Sequence, residues 1–91
     1  MITLTFQVQA DYSMKCDHIH ALKLVKAGDW NEAHKLVQDH SDKFSCLIHG
    51  YLHRVEGDFS NANYWYNRAD EAMPNNSLEE EIVRIYDIVS Q

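Results

Sequence analysis

The sequence is poor in cysteine and contains no long apolar run. Its two cysteines, Cys16 and Cys46, could form one disulfide at most, and neither belongs to a Cys-x-x-Cys motif of the kind that binds metal or performs redox chemistry. We therefore expect reduced, half-buried thiols on helices. No stretch approaches 18 consecutive apolar residues, and the N-terminus lacks a basic segment followed by an apolar run, so neither membrane spanning nor export is expected. The expected location is the cytoplasm.

Basic residues are also scarce. Eight lysines and arginines stand against 14 aspartates and glutamates, which gives a formal net charge of −6. Nucleic acids and anionic membranes are bound through basic surfaces, so we expect neither as a partner. The chain has no Gly-rich phosphate loop and no paired-carboxylate motif, and Ser60 has no histidine at a suitable helical spacing. We therefore expect no enzymatic activity and no cofactor, and a protein or peptide as the partner.

What is present is a chain of 91 residues, of which 45% are hydrophobic. A chain of this length buries only about 60–65% of the surface that its unfolded form exposes. We expect a single domain over residues 1–91, with a modest core and little room for an enclosed active site.

An internal repeat organises most of the chain. The sequence Ile-His-Ala at 19–21 recurs as Ile-His-Gly at 48–50, and Gly-Asp-Trp-Asn-Glu-Ala at 28–33 recurs as Gly-Asp-Phe-Ser-Asn-Ala at 57–62. Both matches have the same offset of 29 residues. Two matches at one offset indicate a true repeat of one structural unit.

Each copy of the repeat predicts a helical hairpin. Apolar residues recur at helical spacing on both sides of a Gly-Asp pair, in which the glycine suits the end of one helix and the aspartate can cap the next. In the first copy Glu32, three residues after Asp29, completes a capping-box pattern. The predicted hairpins cover residues 12–40, with helices at 12–27 and 30–39, and residues 42–74, with helices at 44–56 and 59–71.

The second copy resembles the tetratricopeptide repeat, a family of stacked helical hairpins. The residues that match the family pattern in order and spacing are Gly50, Gly57, Asp58, Phe59, Ala62, Tyr66, Ala69 and Pro74. The first copy keeps fewer of them, namely Ala21, Gly28, Asp29, Trp30 and Ala33, and is shorter than the usual ~34 residues. The resemblance covers roughly residues 14–76. It implies an all-α fold of antiparallel hairpins, with about five helices in total.

In proteins of this family the first helices of the hairpins line a groove that binds a peptide or protein segment. The resemblance therefore implies a non-enzymatic interaction module. The residues that helical spacing places on this first-helix groove are Lys15, His18, Leu22, Val25, Lys26, Phe44, Leu47, Tyr51, Arg54 and Val55. Three of them are basic, which suits an acidic peptide. The alternative is a groove filled by the chain's own N-terminal arm or by a second copy.

A fifth helix is predicted over residues 77–90. Ser77 and Glu80 form a capping-box pattern, and Leu78, Ile82, Ile85 and Val89 recur at helical spacing. This helix is expected to cover the exposed face of the last repeat; the alternative is a dimerisation surface. Two repeats are fewer than the three that such arrays generally need, so we expect self-association, as a homodimer.

The N-terminal residues 1–11 have a different pattern. Ile2, Leu4, Phe6 and Val8 alternate with polar residues, which is the period of a strand. A lone strand in a helical domain has unpaired backbone groups. Three alternatives remain open: a strand paired with another chain, an extended arm along the helices, and a helical extension.

Histidines provide the alternative functional hypothesis, a small metal-binding protein or metalloenzyme. His49, His53 and Glu56 stand at i, i+4 and i+7 on one face of a predicted helix, and the repeat places His20 at the position equivalent to His49. The more ordinary interpretation is that these side chains are hydrogen-bonded at helix contacts.

Three consecutive aromatic residues, at 64–66, point in three directions around a predicted helix. Tyr66 is expected in the core and Trp65 against the C-terminal helix. Tyr64 is expected to face outward and to form a cation–π pair with Arg68.

Overall fold

The computed structural model describes residues 15–91, and within this range the chain is entirely helical, without strands. This confirms the all-α prediction. The predicted N-terminal arm, residues 1–11, lies outside the described residues. The five helices are α1 (His18–Lys26), α2 (Trp30–Val37), α3 (Lys43–Val55), α4 (Phe59–Arg68) and α5 (Leu78–Val89).

The helix boundaries follow from short-range capping. The N-terminal caps of α1 to α4 are aspartates, and the side chain of each accepts a hydrogen bond from a backbone N–H in the first turn. Asp17 caps α1 with an extended backbone, so α1 begins at His18 and residues 15–17 are not helical, contrary to the predicted helix over 12–27. Asp70 has a φ of 64°, which ends α4 before the predicted residue 71.

Both Gly-Asp turns have the predicted conformation. Gly28 and Gly57 each have a φ of +81°, the left-handed region that glycine adopts without a steric penalty. Asp29 and Asp58 then cap the following helices through the backbone N–H groups of Glu32 and Asn61. The chain therefore turns back twice in the same way, and α1 packs on α2 as α3 packs on α4.

Helix α3 is the centre of the molecule. Residues 45–53 are buried without interruption, and α3 contacts the four other helices of the described chain. Its approach to α4 is close at Gly50, where a Cβ atom would lie 2.8 Å from Cδ2 of Tyr66. The small residue that the repeat pattern places there is thus required by helix packing.

Helix α5 lies against α3 and α1, that is, against the first helices of both hairpins. The predicted capping box is present, with Ser77 and Glu80 exchanging hydrogen bonds, so the start of this helix is confirmed. Ile85 is fully buried in the core. The helix therefore covers much of the face that the sequence pattern assigned to an open groove.

No helix within residues 15–91 has both the length and the apolar character needed to cross a membrane.

Candidate functional site

Three residues of the predicted first-helix groove lie in the core. Leu22 and Leu47 are completely buried, and Tyr51 is only 7% exposed. Their prediction as groove-lining residues is wrong, because a helix at the centre of a small domain is buried on several faces and α5 covers the first-helix face. Helical spacing identified a common face but could not show what lies on it.

The four charged or polar residues of the predicted groove are not brought together. Lys15 is exposed near the start of the described chain. His18 is held at the start of α3, because its Nε2 lies 2.7 Å from Oδ2 of Asp42 and 3.1 Å from Oγ of Ser45.

The other two residues of this group lie near α5. Arg54 donates hydrogen bonds to the side chain and the carbonyl of Asn76, just before α5. Lys26 places its ammonium 5.6 Å from the centre of the Tyr86 ring.

An open apolar surface remains where α5 meets α1. Val83 is 67% exposed and Tyr86 39% exposed on the outer side of α5, and Lys26 of α1 lies beside them. We call these three residues the α5 patch. A cavity of about 310 Å³ opens here, lined also by Ile82, Arg84 and Asp87.

A second site lies where α2, α3 and α4 meet. His34, His49 and His53 form what we call the histidine cluster: one ring nitrogen of each lies within 4.8 Å of a nitrogen of the other two. Sequence analysis found His49 and His53 and missed His34. The signal was present in the repeat, because stacking of two hairpins places the second helix of the first hairpin beside the first helix of the next.

Two tryptophans enclose the histidine cluster. The Trp30 ring stacks on His34 with centroids 4.7 Å apart, and the Trp65 ring stacks on His49 at 3.8 Å. The indole N–H of Trp30 donates a hydrogen bond of 2.7 Å to the carbonyl of Leu52. Trp65 therefore stacks on a histidine of α3, whereas the sequence prediction had placed it against the C-terminal helix.

The histidines of the cluster differ in their hydrogen bonds. His53 Nδ1 lies 2.6 Å from Oε2 of Glu56, a member of the predicted ligand set. His49 is 3% exposed, and its Nδ1 has no hydrogen-bond partner among the described residues. A buried polar atom without a partner is uncommon in folded proteins, because it has lost its hydrogen bonds to water.

Burial keeps two of these imidazoles neutral. It lowers the pKa of His49 to about 3, and the charges of His34, His53 and Arg68 act in the same direction. Burial is also the main reason that the pKa of His34 is lowered, followed by the charge of His53. At neutral pH both rings therefore have a free lone pair on one nitrogen.

His20 does not join the cluster. It is exposed on α1, although the repeat makes it equivalent to His49. The difference arises because α3 has a preceding hairpin packed against it and α1 has none within the described residues. The proposed ligand set of His49, His53, Glu56 and His20 is corrected accordingly: His34 replaces His20.

The predicted surface pair is confirmed. The Arg68 guanidinium lies 5.8 Å from the centre of the Tyr64 ring and donates a hydrogen bond of 3.3 Å to the Tyr64 hydroxyl. The same guanidinium lies 5.0 Å from the centre of the Trp65 ring. The pair thus also borders the histidine cluster.

Comparison of the chain with protein-family models, with curated proteins and with solved structures found no match. The resemblance to the tetratricopeptide repeat therefore rests on the sequence pattern and stays a prediction.

Proposed function

We propose that the protein is a small, non-enzymatic interaction module of the tetratricopeptide-like type, and that it forms a homodimer through the α5 patch. The observation that carries the proposal is the exposure of Val83 and Tyr86 beside the cavity at α1. Apolar groups gathered on one surface of a small protein indicate a contact site, because isolated ones are ordinary but clustered ones are costly in water.

The architecture supports a second copy as the occupant. Two hairpins are fewer than the three that helical arrays generally need, and α5 provides only one further helix. A dimer through α5 extends the stack of first helices from one chain into the next. The face lined by α1, α3 and α5 then becomes a shared core.

The charges around the α5 patch also suit a two-fold contact. Lys23 and Lys26 are exposed at the end of α1, whereas Glu79 and Asp87 are exposed on α5. In a dimer with a two-fold axis, each surface patch contacts the same patch of the second copy. A patch that carries both positive and negative charges beside apolar side chains can therefore pair with itself. An acidic chain with a uniformly acidic patch would repel its copy instead.

The proposal is tested by light scattering on the full chain over a range of concentrations. We expect a dimer for the wild type and a monomer for Val83→Glu, because a buried unpaired carboxylate opposes association. The matched control is Phe59→Glu, since Phe59 is 59% exposed outside the α5 patch, and this variant should stay dimeric. A wild type that is monomeric at every concentration, or equal loss of the dimer in both variants, contradicts the proposal.

A further inference from the structure

We propose that His34, His49 and His53 form a binding site for one divalent transition-metal ion of the Zn²⁺ class. Their ring nitrogens converge from two helices, α2 and α3, within 4.8 Å of one another. Imidazole nitrogen is a preferred ligand of Zn²⁺ and of the neighbouring ions Cu²⁺, Ni²⁺ and Co²⁺. This inference is independent of the dimer, because the histidine cluster does not include the α5 patch.

The unpartnered nitrogen of His49 is the strongest single observation. Nδ1 is buried, and no group within the described residues forms a hydrogen bond with it. The neutral ring has a lone pair available, and a metal ion is a partner that would use it. The His49 ring stacks on the Trp65 ring, but such stacking does not require a nitrogen atom in the ring at position 49.

The second ligand, His53, has a carboxylate on one ring nitrogen, as metal-bound histidines commonly do. Its Nδ1 is 2.6 Å from the Glu56 carboxylate, which leaves Nε2 as the ligand atom. A carboxylate on the second ring nitrogen fixes the ring, selects its tautomer and makes the ligand nitrogen more basic. Glu56 would therefore hold the His53 ring in place without binding the ion itself.

The third ligand, His34, joins the cluster from α2 and is only partly buried, so it provides the approach from solvent. Three nitrogens at about 2.1 Å from a tetrahedral ion lie about 3.4 Å apart. The present separation is up to 4.8 Å, so binding of the ion requires the three nitrogens to move closer together. Three protein ligands leave one position of the ion for water.

The local charges bear on the choice of ion. Carboxylates of Glu56 and Asp58 lie within 4.8 Å of a His53 nitrogen and favour a cation, whereas the Arg68 guanidinium over Trp65 opposes one. No thiol belongs to the cluster within the described residues, since the grouping holds histidines alone. The donor set thus favours an ion that accepts nitrogen and oxygen ligands over one that requires sulfur.

The test is equilibrium dialysis of the full, untagged chain against ZnSO₄ after removal of bound metal. We expect one Zn²⁺ per chain. His34→Gln removes a partly buried ligand and should weaken binding at least about tenfold, and Glu56→Gln should weaken it about 10–100-fold, as is typical of the outer carboxylate. The matched control His20→Gln, at the exposed equivalent position, should bind Zn²⁺ as the wild type does.

Nitrogen-15 spectra of the histidine rings in the wild type decide the question even if a variant fails to fold. Addition of Zn²⁺ should shift the ring signals of His34, His49 and His53 and leave those of His18 and His20 in place. The proposal is overturned if the wild type binds no Zn²⁺, if His20→Gln weakens binding as much as His34→Gln, or if the shifted signals belong to histidines outside the cluster.

Discussion

At the scale of single residues, Glu81 is a buried carboxylate that three other side chains contact. It is fully buried on α5, and its carboxylate accepts hydrogen bonds from the Tyr66 hydroxyl at 2.7 Å, from Asn76 at 2.8 Å and from Arg84 at 2.8 Å. Burial alone would raise the pKa of this carboxyl group, but the hydrogen bonds from Arg84, Asn76 and Tyr66 outweigh burial and lower it. The Glu81 carboxylate thus connects α4, α5 and the segment between them through hydrogen bonds.

Substitution of Glu81 by glutamine should therefore destabilise the protein. The change keeps the volume but removes the charge, and it turns an acceptor oxygen into a donor group that faces other donors. We expect the free energy of unfolding to fall by about 2–3 kcal/mol, measured by urea denaturation followed by circular dichroism. Asp39→Asn, at an exposed position after α2, is the control and should leave the midpoint unchanged. Equal midpoints for Glu81→Gln and the wild type would contradict this account.

At the scale of secondary structure, the helix contacts depend on small residues at particular points. Gly50 permits α3 to approach α4, because a Cβ there would lie 2.8 Å from the Tyr66 ring and 3.2 Å from the carbonyl oxygen of Ala62. The Tyr66 ring cannot move away easily, since its hydroxyl is bound to Glu81. The contact between these helices is thus tied to the buried carboxylate.

Gly50→Ala is expected to destabilise the fold although alanine is the better helix former. The gain in helix propensity is about 1 kcal/mol, and it is outweighed by displacement of a buried ring and a helix backbone. We expect a net loss of about 1–2 kcal/mol in thermal or urea unfolding. In contrast, Asn63→Ala on the exposed side of α4 should be neutral or stabilising. A more stable Gly50→Ala variant would show that α3 and α4 are less closely packed than described.

At the scale of the whole molecule, two carboxylates of lowered pKa join separate elements. Glu81 of α5 is one of them, through its hydrogen bond to Tyr66 of α4. Asp42 connects α1 to α3: burial would raise its pKa, but hydrogen bonds from Ser45 and His18 outweigh burial and lower it. Both groups hold a proton more weakly in the folded chain than in the unfolded chain.

Global stability should therefore fall in acid. The unfolded carboxyls titrate near pH 4, and a depressed folded pKa gives stability that is complete above about pH 5 and is lost as the pH falls through the folded pKa. We expect the melting temperature to decrease gradually below about pH 6.5, because the pKa values of His34 and His49 are lowered in the folded chain, and to fall further below about pH 4, where the carboxyls take up protons. In Glu81→Gln the acid-induced loss should be smaller. If both proteins lose the same stability, Glu81 is not a source of the effect.

Much of the fold could be predicted because its signals are local. A cap, a left-handed glycine and a capping box each act within three or four residues of the chain, so Asp29, Gly57 and Ser77 identified the turns and the start of α5. The repeat at an offset of 29 residues then showed that the same hairpin occurs twice. These features can be identified without knowing which helices contact each other in the tertiary structure.

The candidate sites depended on contacts between distant parts of the chain. The amino-acid sequence by itself determined that Leu22 of α1 and Tyr51 of α3 would lie on the apolar faces of their helices, but only the tertiary structure decided that α5 would pack against both helices. It likewise placed His34 beside His49 and His53, and left His20 exposed. Periodicity states which residues share a face of one helix, whereas burial and convergence result from packing among several helices, and such packing is not encoded in the spacing of any one of them.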